Sequence, residues 1–187
     1  FDKQSNQLIR ESLFGTIAIL TGTGYVLGDY ELWPVFLQLI LLTLMFIGGM
    51  GGSTTGGMKV IRILLLAKYA ALETRRMLHS RALLPVKIGK QYVKEDVVRN
   101  TLGFFLFFMS AFIISAILLS TLGLDIESSI GAAASAMGNI GPSIGEFGAM
   151  DNYSSLPVLA KYIMMFGMIL GRLEIFAVLV LFTKTFW

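Results

Sequence analysis

Apolar runs of unequal length alternate with short polar interruptions that carry glycine. Residues 12–20 and 129–137 are apolar stretches only about half as long as the roughly 20 residues a helix needs to cross a bilayer. Each hands over to a glycine-bearing turn, Thr21-Gly22-Thr23-Gly24-Tyr25 in the first case and Gly138-Asn139-Ile140-Gly141-Pro142 in the second. An acidic loop and a long apolar helix follow each turn. A half-crossing leaves backbone N–H and C=O groups at membrane depth without helical partners. Such backbone persists only where protein buries it or where it lines a watery cavity. Two half-helices that both end in glycine therefore suggest a pore lined by backbone carbonyls, which strip water from a cation without a charged side chain.

The same reading predicts a half-helix at about 8–20 and a long helix from Trp33-Pro34 to Ile47, with proline suited to a first turn. Gly48-Gly49-Met50-Gly51-Gly52-Ser53-Thr54-Thr55-Gly56-Gly57 breaks that helix, because each glycine costs about 1 kcal/mol relative to alanine. A helix resumes near Met58 and leaves the membrane by about His79. Residues 83–88 and 91–93, around Gly89-Lys90, fit a small hairpin. Residues 97–121 form one full span, and a last helix runs from about Ser155 to Thr185.

These elements align as an internal repeat. Ser12 to Gly24 and Ser129 to Gly141 are both twelve apart, and Trp33-Pro34-Val35 matches Leu156-Pro157-Val158. Stepping fourteen and fifteen residues from each proline reaches Gly48-Gly49 in one copy and Gly171-Arg172 in the other. The expected fold class is an all-α membrane protein of helix, pore loop and helix repeats, with re-entrant half-helices and one broken helix. Residues 1–79 read as a repeat lacking its leading helix, 80–96 as a connector and 97–187 as a complete repeat. A pore of this kind needs about four carbonyl loops around one axis, and this chain holds two.

Composition supports the membrane reading. The 187 residues are 55% hydrophobic and 14% charged, against about a quarter charged in a soluble domain. The chain opens on Phe1 without an initiating Met, so it reads as the later part of something longer. The absence of cysteine excludes a thiolate metal site or a disulfide, and a lone His79 builds no histidine cluster. Between Lys59 and Arg99, ten cations face three acids, a net +7, which leaves −4 for the remainder of a chain of formal charge +3. Of the acids outside that segment, Asp29, Glu31, Asp125, Glu127, Glu146 and Asp151 gather beside the glycine turns. The positive-inside rule then places 59–99 in the cytoplasm and both turns toward the outside. A basic loop between membrane segments is a topology determinant and a lipid contact rather than a nucleic-acid surface.

Candidate cation ligands are the carbonyls of Thr21, Gly22, Thr23 and Gly24, with threonine hydroxyls beside them, and those of Gly138, Asn139, Ile140 and Gly141. Asn139 also offers a lateral amide. Glycine is needed where a loop must turn its carbonyls inward. The 48–57 insert is no nucleotide P-loop, since no Gly-Lys-Ser/Thr occurs and a membrane helix precedes it. Close helix packing through Gly52 and Gly56 is a simple alternative, but a flexible polar insert below a pore mouth reads better as a gate. Arg172 lies mid-way along the last helix, where arginine costs about 2.5–3.5 kcal/mol unless it faces protein or water. The repeat puts it level with the insert. It is expected to hold the 48–57 loop across the pore, the alternative being a pairing with Glu174 or a snorkel to the lipid interface. Lys161 and Lys184 read as interfacial anchors.

Several of these stretches resemble one family. Residues 46–62, from Phe46-Ile47-Gly48-Gly49 through Gly56-Gly57-Met58-Lys59 to Arg62, are similar to the TrkH-type subunits of the Trk/Ktr/HKT potassium transporter superfamily. So are Gly171-Arg172-Leu173-Glu174-Ile175-Phe176, Thr23-Gly24-Tyr25 and Asn139-Ile140-Gly141-Pro142. The resemblance runs in order along essentially the whole chain. It implies the third repeat without its first helix and the complete fourth repeat of a pore related to potassium channels. It further implies filter glycines at Gly24 and Gly141, a gating loop of Gly48, Gly49, Gly51, Gly52, Ser53, Thr54, Thr55, Gly56 and Gly57, and an arginine beneath it at Arg172. The remaining pore repeats, a homodimer in the prokaryotic plasma (inner) membrane, and a cytosolic nucleotide-binding regulatory ring of the TrkA type are the implied partners. Potassium is the implied transported ion, and any nucleotide belongs to the ring. Met50 stands where the family often has Cys, and Thr55 in a loop usually richer in glycine. The rival reading is an ion-coupled secondary transporter with a midplane site on broken helices. An enzyme is disfavoured, because no paired carboxylates or Ser/His arrangement occur.

Overall fold

The computed structural model describes residues 3–78, 85–173 and 180. Six helices carry the described fold. The first, α1 (Lys3–Thr21), is longer than the apolar half-helix predicted. Its extra N-terminal turns are polar, and Gln7 Nε2 donates to Glu11 Oε1 at 2.8 Å along their exposed face. A 3-10 turn, Tyr30–Leu32, leads through Pro34 into α2 (Val35–Ile47). The glycine-rich insert follows, and α3 (Val60–Leu78) resumes on its far side. Strands β1 (Lys87–Ile88) and β2 (Gln91–Tyr92) pair antiparallel, Lys87 opposite Tyr92. Next come α4 (Glu95–Thr121), α5 (Ile126–Gly138), a second 3-10 turn at Tyr153–Ser155, and α6 (Val158–Arg172). The expected continuation of the last helix to Thr185, with Glu174 and Lys184, lies outside the described residues, as do His79 and the first two residues of the predicted hairpin.

Among the described residues, α4 alone is both long and apolar enough to cross a membrane, with 27 residues. At 1.5 Å per residue it reaches about 40 Å. Helix α5 is the hub. Ser128, Ser129 and every residue from Gly131 to Gly138 are buried. Small side chains (Gly131, Ala132, Ala133, Ala134, Ser135, Ala136) let neighbours approach closely, and α2, α4 and α6 all pack on it. One core joins Leu119, Ala132, Ala136, Ala160 and Met164 between α4, α5 and α6. Another joins Ile19 of α1, Leu41 and Met45 of α2, and Ala134 and Ile144 around α5. On the basic side, Val86 and Ile88 seat the hairpin against Leu65 of α3 and Val98 of α4.

The two 3-10 turns are built alike. Asp29 Oδ1 accepts from the Glu31 amide at 3.0 Å, and Asn152 Oδ1 accepts from the Ser154 amide at 3.0 Å. Four residues after each proline, a side chain reaches back to the turn. Gln38 Nε2 donates to the Glu31 carbonyl at 2.8 Å, and Lys161 Nζ donates to the Ser154 carbonyl at 3.0 Å. Lys161, expected as a plain interfacial anchor, thus also ties α6 to its own entry turn.

Candidate functional site

Helix α1 ends at Thr21 and its following amides fold back onto it. The amides of Thr23 and Gly24 donate to the Ala18 carbonyl at 3.0 and 3.4 Å, and that of Gly22 donates to Ile19 at 3.1 Å. Donors being consumed behind the turn, its carbonyls are left facing away from the helix. Gly22 and Gly24 have φ of 65° and 69°, a conformation that a side chain resists. The α5 turn repeats the device with different chemistry. Asn139 caps α5 in the left-handed region (φ 53°), its amide donates to Ala136 at 3.1 Å, and the Ile140 amide donates to Ser135 at 3.1 Å.

These two turns meet. A Cβ on Gly24 would lie 1.9 Å from the Ile140 carbonyl oxygen, so the Gly24 Cα rests directly against that carbonyl. A Cβ on Gly22 would lie 3.9 Å from the Asn139 carbonyl. Among the described residues no hydrogen bond is donated to the carbonyls of Gly22, Thr23, Gly24, Gly138, Asn139 or Ile140. Gly141 differs. Its carbonyl accepts from Ser135 Oγ at 2.9 Å and from the Tyr153 hydroxyl at 2.6 Å.

Gly48 to Gly57 runs beneath this pair of turns and binds to both. Thr55 Oγ1 donates to the Thr21 carbonyl at 3.1 Å and pairs with Ser53 Oγ at 2.7 Å. At the other turn, the Gly57 amide donates to the Met137 carbonyl at 3.3 Å. Gly56 is packed so closely that a Cβ there would lie 2.6 Å from the Gly138 oxygen. Gly171 of α6 presses on the same place, since its Cβ would lie 1.9 Å from the Met137 oxygen. Asn139 Nδ2 completes the junction by donating to the Met168 carbonyl at 3.1 Å. Met50, Gly51, Gly52 and Thr54 form the exposed rim of the insert, with Gly49 half-buried and Gly48 buried at its root. Arg172 follows Gly171 at this depth, but its side chain is exposed and has no hydrogen-bond partner among the described residues. The lateral role expected of Asn139 is directed to α6 rather than to the opposite turn.

Sequence reasoning missed the hydroxyls behind the second turn. Ser135 and Ser143 are almost fully buried, and the Tyr30 hydroxyl donates to the Ser143 carbonyl at 2.6 Å. A signal was available: Asp29-Tyr30 and Asn152-Tyr153 occupy the same positions, five and four residues before Pro34 and Pro157.

Two half-helices ending in facing carbonyl turns, flanked by apolar helices and floored by an unwound glycine insert, are the helix, pore-loop and helix architecture of membrane transport proteins. The chain belongs to the TrkH family of cation transport proteins, whose sequence profile matches residues 3–186. It is 39% identical over 186 residues to the Trk system potassium uptake protein TrkH of Halomonas elongata, covering 100% of this chain and 38% of that protein. Against the protein of the same name from Escherichia coli K12 it is 38% identical, covering 96% of this chain and 37% of the relative. The crystal structure of the potassium transporter TrkH from Vibrio parahaemolyticus superposes with a TM-score of 0.85 at 40% identity, over 95% of this chain and 37% of that one. The chain therefore spans little more than a third of the relatives it matches.

Proposed function

We propose that this chain supplies two of the carbonyl turns of a potassium-conducting pore, 21–24 and 138–141, in a multi-pass protein of the prokaryotic plasma membrane. The observation that carries this reading is the apposition of Gly24 with the Ile140 carbonyl, amid the carbonyls of Gly22, Thr23, Gly138 and Asn139, to which no hydrogen bond is donated among the described residues. Oxygens so arranged can replace a cation's hydration shell without net charge. Potassium as the ion is suggested by the relatives, which are potassium uptake proteins. Residues 1–79 and 97–187 are two repeats of such a pore, and the missing turns come from the remaining repeats of a longer subunit. A homodimer and a cytosolic nucleotide-binding ring of the TrkA type complete the assembly, with residues 59–99 on the cytoplasmic side. The 48–57 insert acts as the gate, and Arg172, leaving α6 at the depth of the insert, adds positive charge beneath the turns.

Substitution at the glycines tests the filter. Gly24→Ala drives a methyl into the Ile140 carbonyl, whereas Gly141→Ala meets nothing within 4 Å and suffers only its φ of 109°. Measured in the complete subunit, Gly24→Ala should abolish preference for K⁺ over Na⁺, and Gly141→Ala should weaken it less. Unchanged permeability ratios in both variants would sink the assignment.

A further inference from the structure

The second carbonyl turn is gripped from behind by groups that no pore lining requires. Ser135 Oγ donates to the Gly141 carbonyl at 2.9 Å and accepts from the Gly141 amide at 3.2 Å, so one buried hydroxyl holds both polar groups of this residue. The Tyr153 hydroxyl takes the other lone pair of the same carbonyl at 2.6 Å. A carbonyl has two lone pairs, and both are occupied by protein. Two residues on, the Ser143 carbonyl accepts from Tyr30, which belongs to the other 3-10 turn, while the Ser143 amide donates to Phe147 at 2.8 Å.

Both phenols are held rigidly. The Tyr153 ring stacks on Phe147 with centroids 5.1 Å apart and planes at 16°, and Tyr30 meets Trp33 edge to face at 6.4 Å. Tyr30 and Phe147 are each 2% exposed. With the rings fixed by packing, little rotamer freedom is lost when the hydroxyls are aimed at backbone. Burial pushes both phenols above their ordinary range, so they remain protonated donors throughout the working range of pH. The first turn has no such brace among the described residues: Thr55 of the insert is the side chain that reaches it from beyond α1 and its own loop.

We propose that Tyr153, seconded by Tyr30, is a positioning residue that sets ion preference by pinning the Gly141 and Ser143 carbonyls away from the pore. Gly141 then contributes its bend and not its oxygen. The carbonyls left for a cation on this side are those of Gly138, Asn139 and Ile140, held at fixed spacing by the clamp. Discrimination between ions of one charge depends on the number, field and stiffness of the coordinating carbonyls, so a clamped turn is selective and a slack one is not. The inference rests on the filter reading given above.

Tyr153→Phe removes one oxygen atom and keeps the stacked ring. In the complete subunit carrying this chain, it should lower the K⁺ over Na⁺ permeability ratio roughly fivefold, the equilibrium equivalent of one net hydrogen bond. Tyr30→Phe, acting two residues further along, should lower it less, and the double variant most. Protein abundance should stay at the wild-type level. A purely structural role would change abundance and leave ion preference alone. Purified protein gives a second readout that tolerates a weakened fold. K⁺ should raise the unfolding temperature more than Na⁺ does, and Tyr153→Phe should narrow that difference. Unaltered preference in the double variant by both measurements would overturn the clamp. Gly24→Ala separates the two ideas: if it destroys selectivity while the tyrosine variants do not, the clamp alone fails, and if it too has no effect, the filter reading fails with it.

Discussion

Glu31 shows how a single side chain beside the carbonyl turns trades stability for charge. Its Oε1 is buried against Gly148, and no hydrogen bond reaches it among the described residues. Burial raises the pKa of this carboxyl, and the nearby charges of Asp29, Asp151 and Glu127 raise it further. An acid whose folded pKa lies above its unfolded one is destabilising when ionised. The penalty sets in as pH rises through the unfolded value and is complete above the folded one. Glu31→Gln should therefore raise the unfolding temperature at pH 7, and the gain should vanish once the pH falls below roughly 4, where the carboxyl is protonated in both states. A gain that persists in acid would mean the effect comes from packing. On the proposed pore reading, the same charge, when ionised, makes the entrance more negative and concentrates cations there. Cation influx through Glu31→Gln should accordingly fall at low ionic strength and approach the native rate at high ionic strength. Asp125, by contrast, caps α5 by accepting from the Ser128 amide at 3.3 Å, and the hydrogen bond from Ser128 holds its carboxyl below the usual range.

The glycine insert couples the end of α1 to α2, α3 and α5, because its hydrogen bonds go to helix ends rather than to helix faces. Thr55 is informative for this reason. In a segment otherwise free to bend, its hydroxyl is the latch onto the Thr21 carbonyl, the innermost oxygen of the first turn. A carbonyl occupied by Thr55 offers less to a cation, so on the proposed filter and gate reading a latched insert and an ion at that level compete. Thr55→Val keeps the shape and removes the donor, a loss of about 1 kcal/mol. Basal cation flux in the unstimulated complete subunit should rise several-fold, Thr55→Ser should restore it, and Arg172→Ala should raise it as well. Flux at or below the native level in well-folded Thr55→Val protein would argue that the insert is held by Gly57 and Met137 alone.

Much of this arrangement was legible in the chain, for definite reasons. Apolar run length marks where α1 and α5 end, and the shared twelve-residue spacing brings out two glycine turns that the fold sets together, although Gly24 meets Ile140 rather than Gly141. What escaped was either disguised or non-local. The polar start of α1 lacks an apolar signature, so nothing in residues 3–7 signals their place in the helix. Ser135 on α5 reads as a small packing residue, and only the fold shows its hydroxyl gripping Gly141. The bond from Tyr30 to Ser143 spans 113 residues, which no periodicity reveals.

Taken as a unit, the described residues leave broad apolar faces uncovered around an enclosed α5. Leu13 and Ile17 on α1 are each 58% exposed and Val35 and Phe36 on α2 each 71%, whereas α5 at the centre is enclosed. Exposed apolar faces of this extent are covered by lipid or by further protein. Arg172 at the end of α6 is exposed as well, and an arginine at membrane depth is stable only against protein or a watery cavity. A carbonyl filter works only when oxygens surround the ion, since each missing side leaves hydration unreplaced. With two turns present, a cation between them would keep half of its water and gain no passage through a closed wall. Residues 1–187 purified and reconstituted into liposomes should therefore show no K⁺ uptake above protein-free vesicles, while the complete subunit takes up K⁺ under the same gradient. Uptake by the isolated chain would require it to close a pore by self-association. Cross-linking in the same vesicles would then reveal dimers, in which four turns are supplied by two copies.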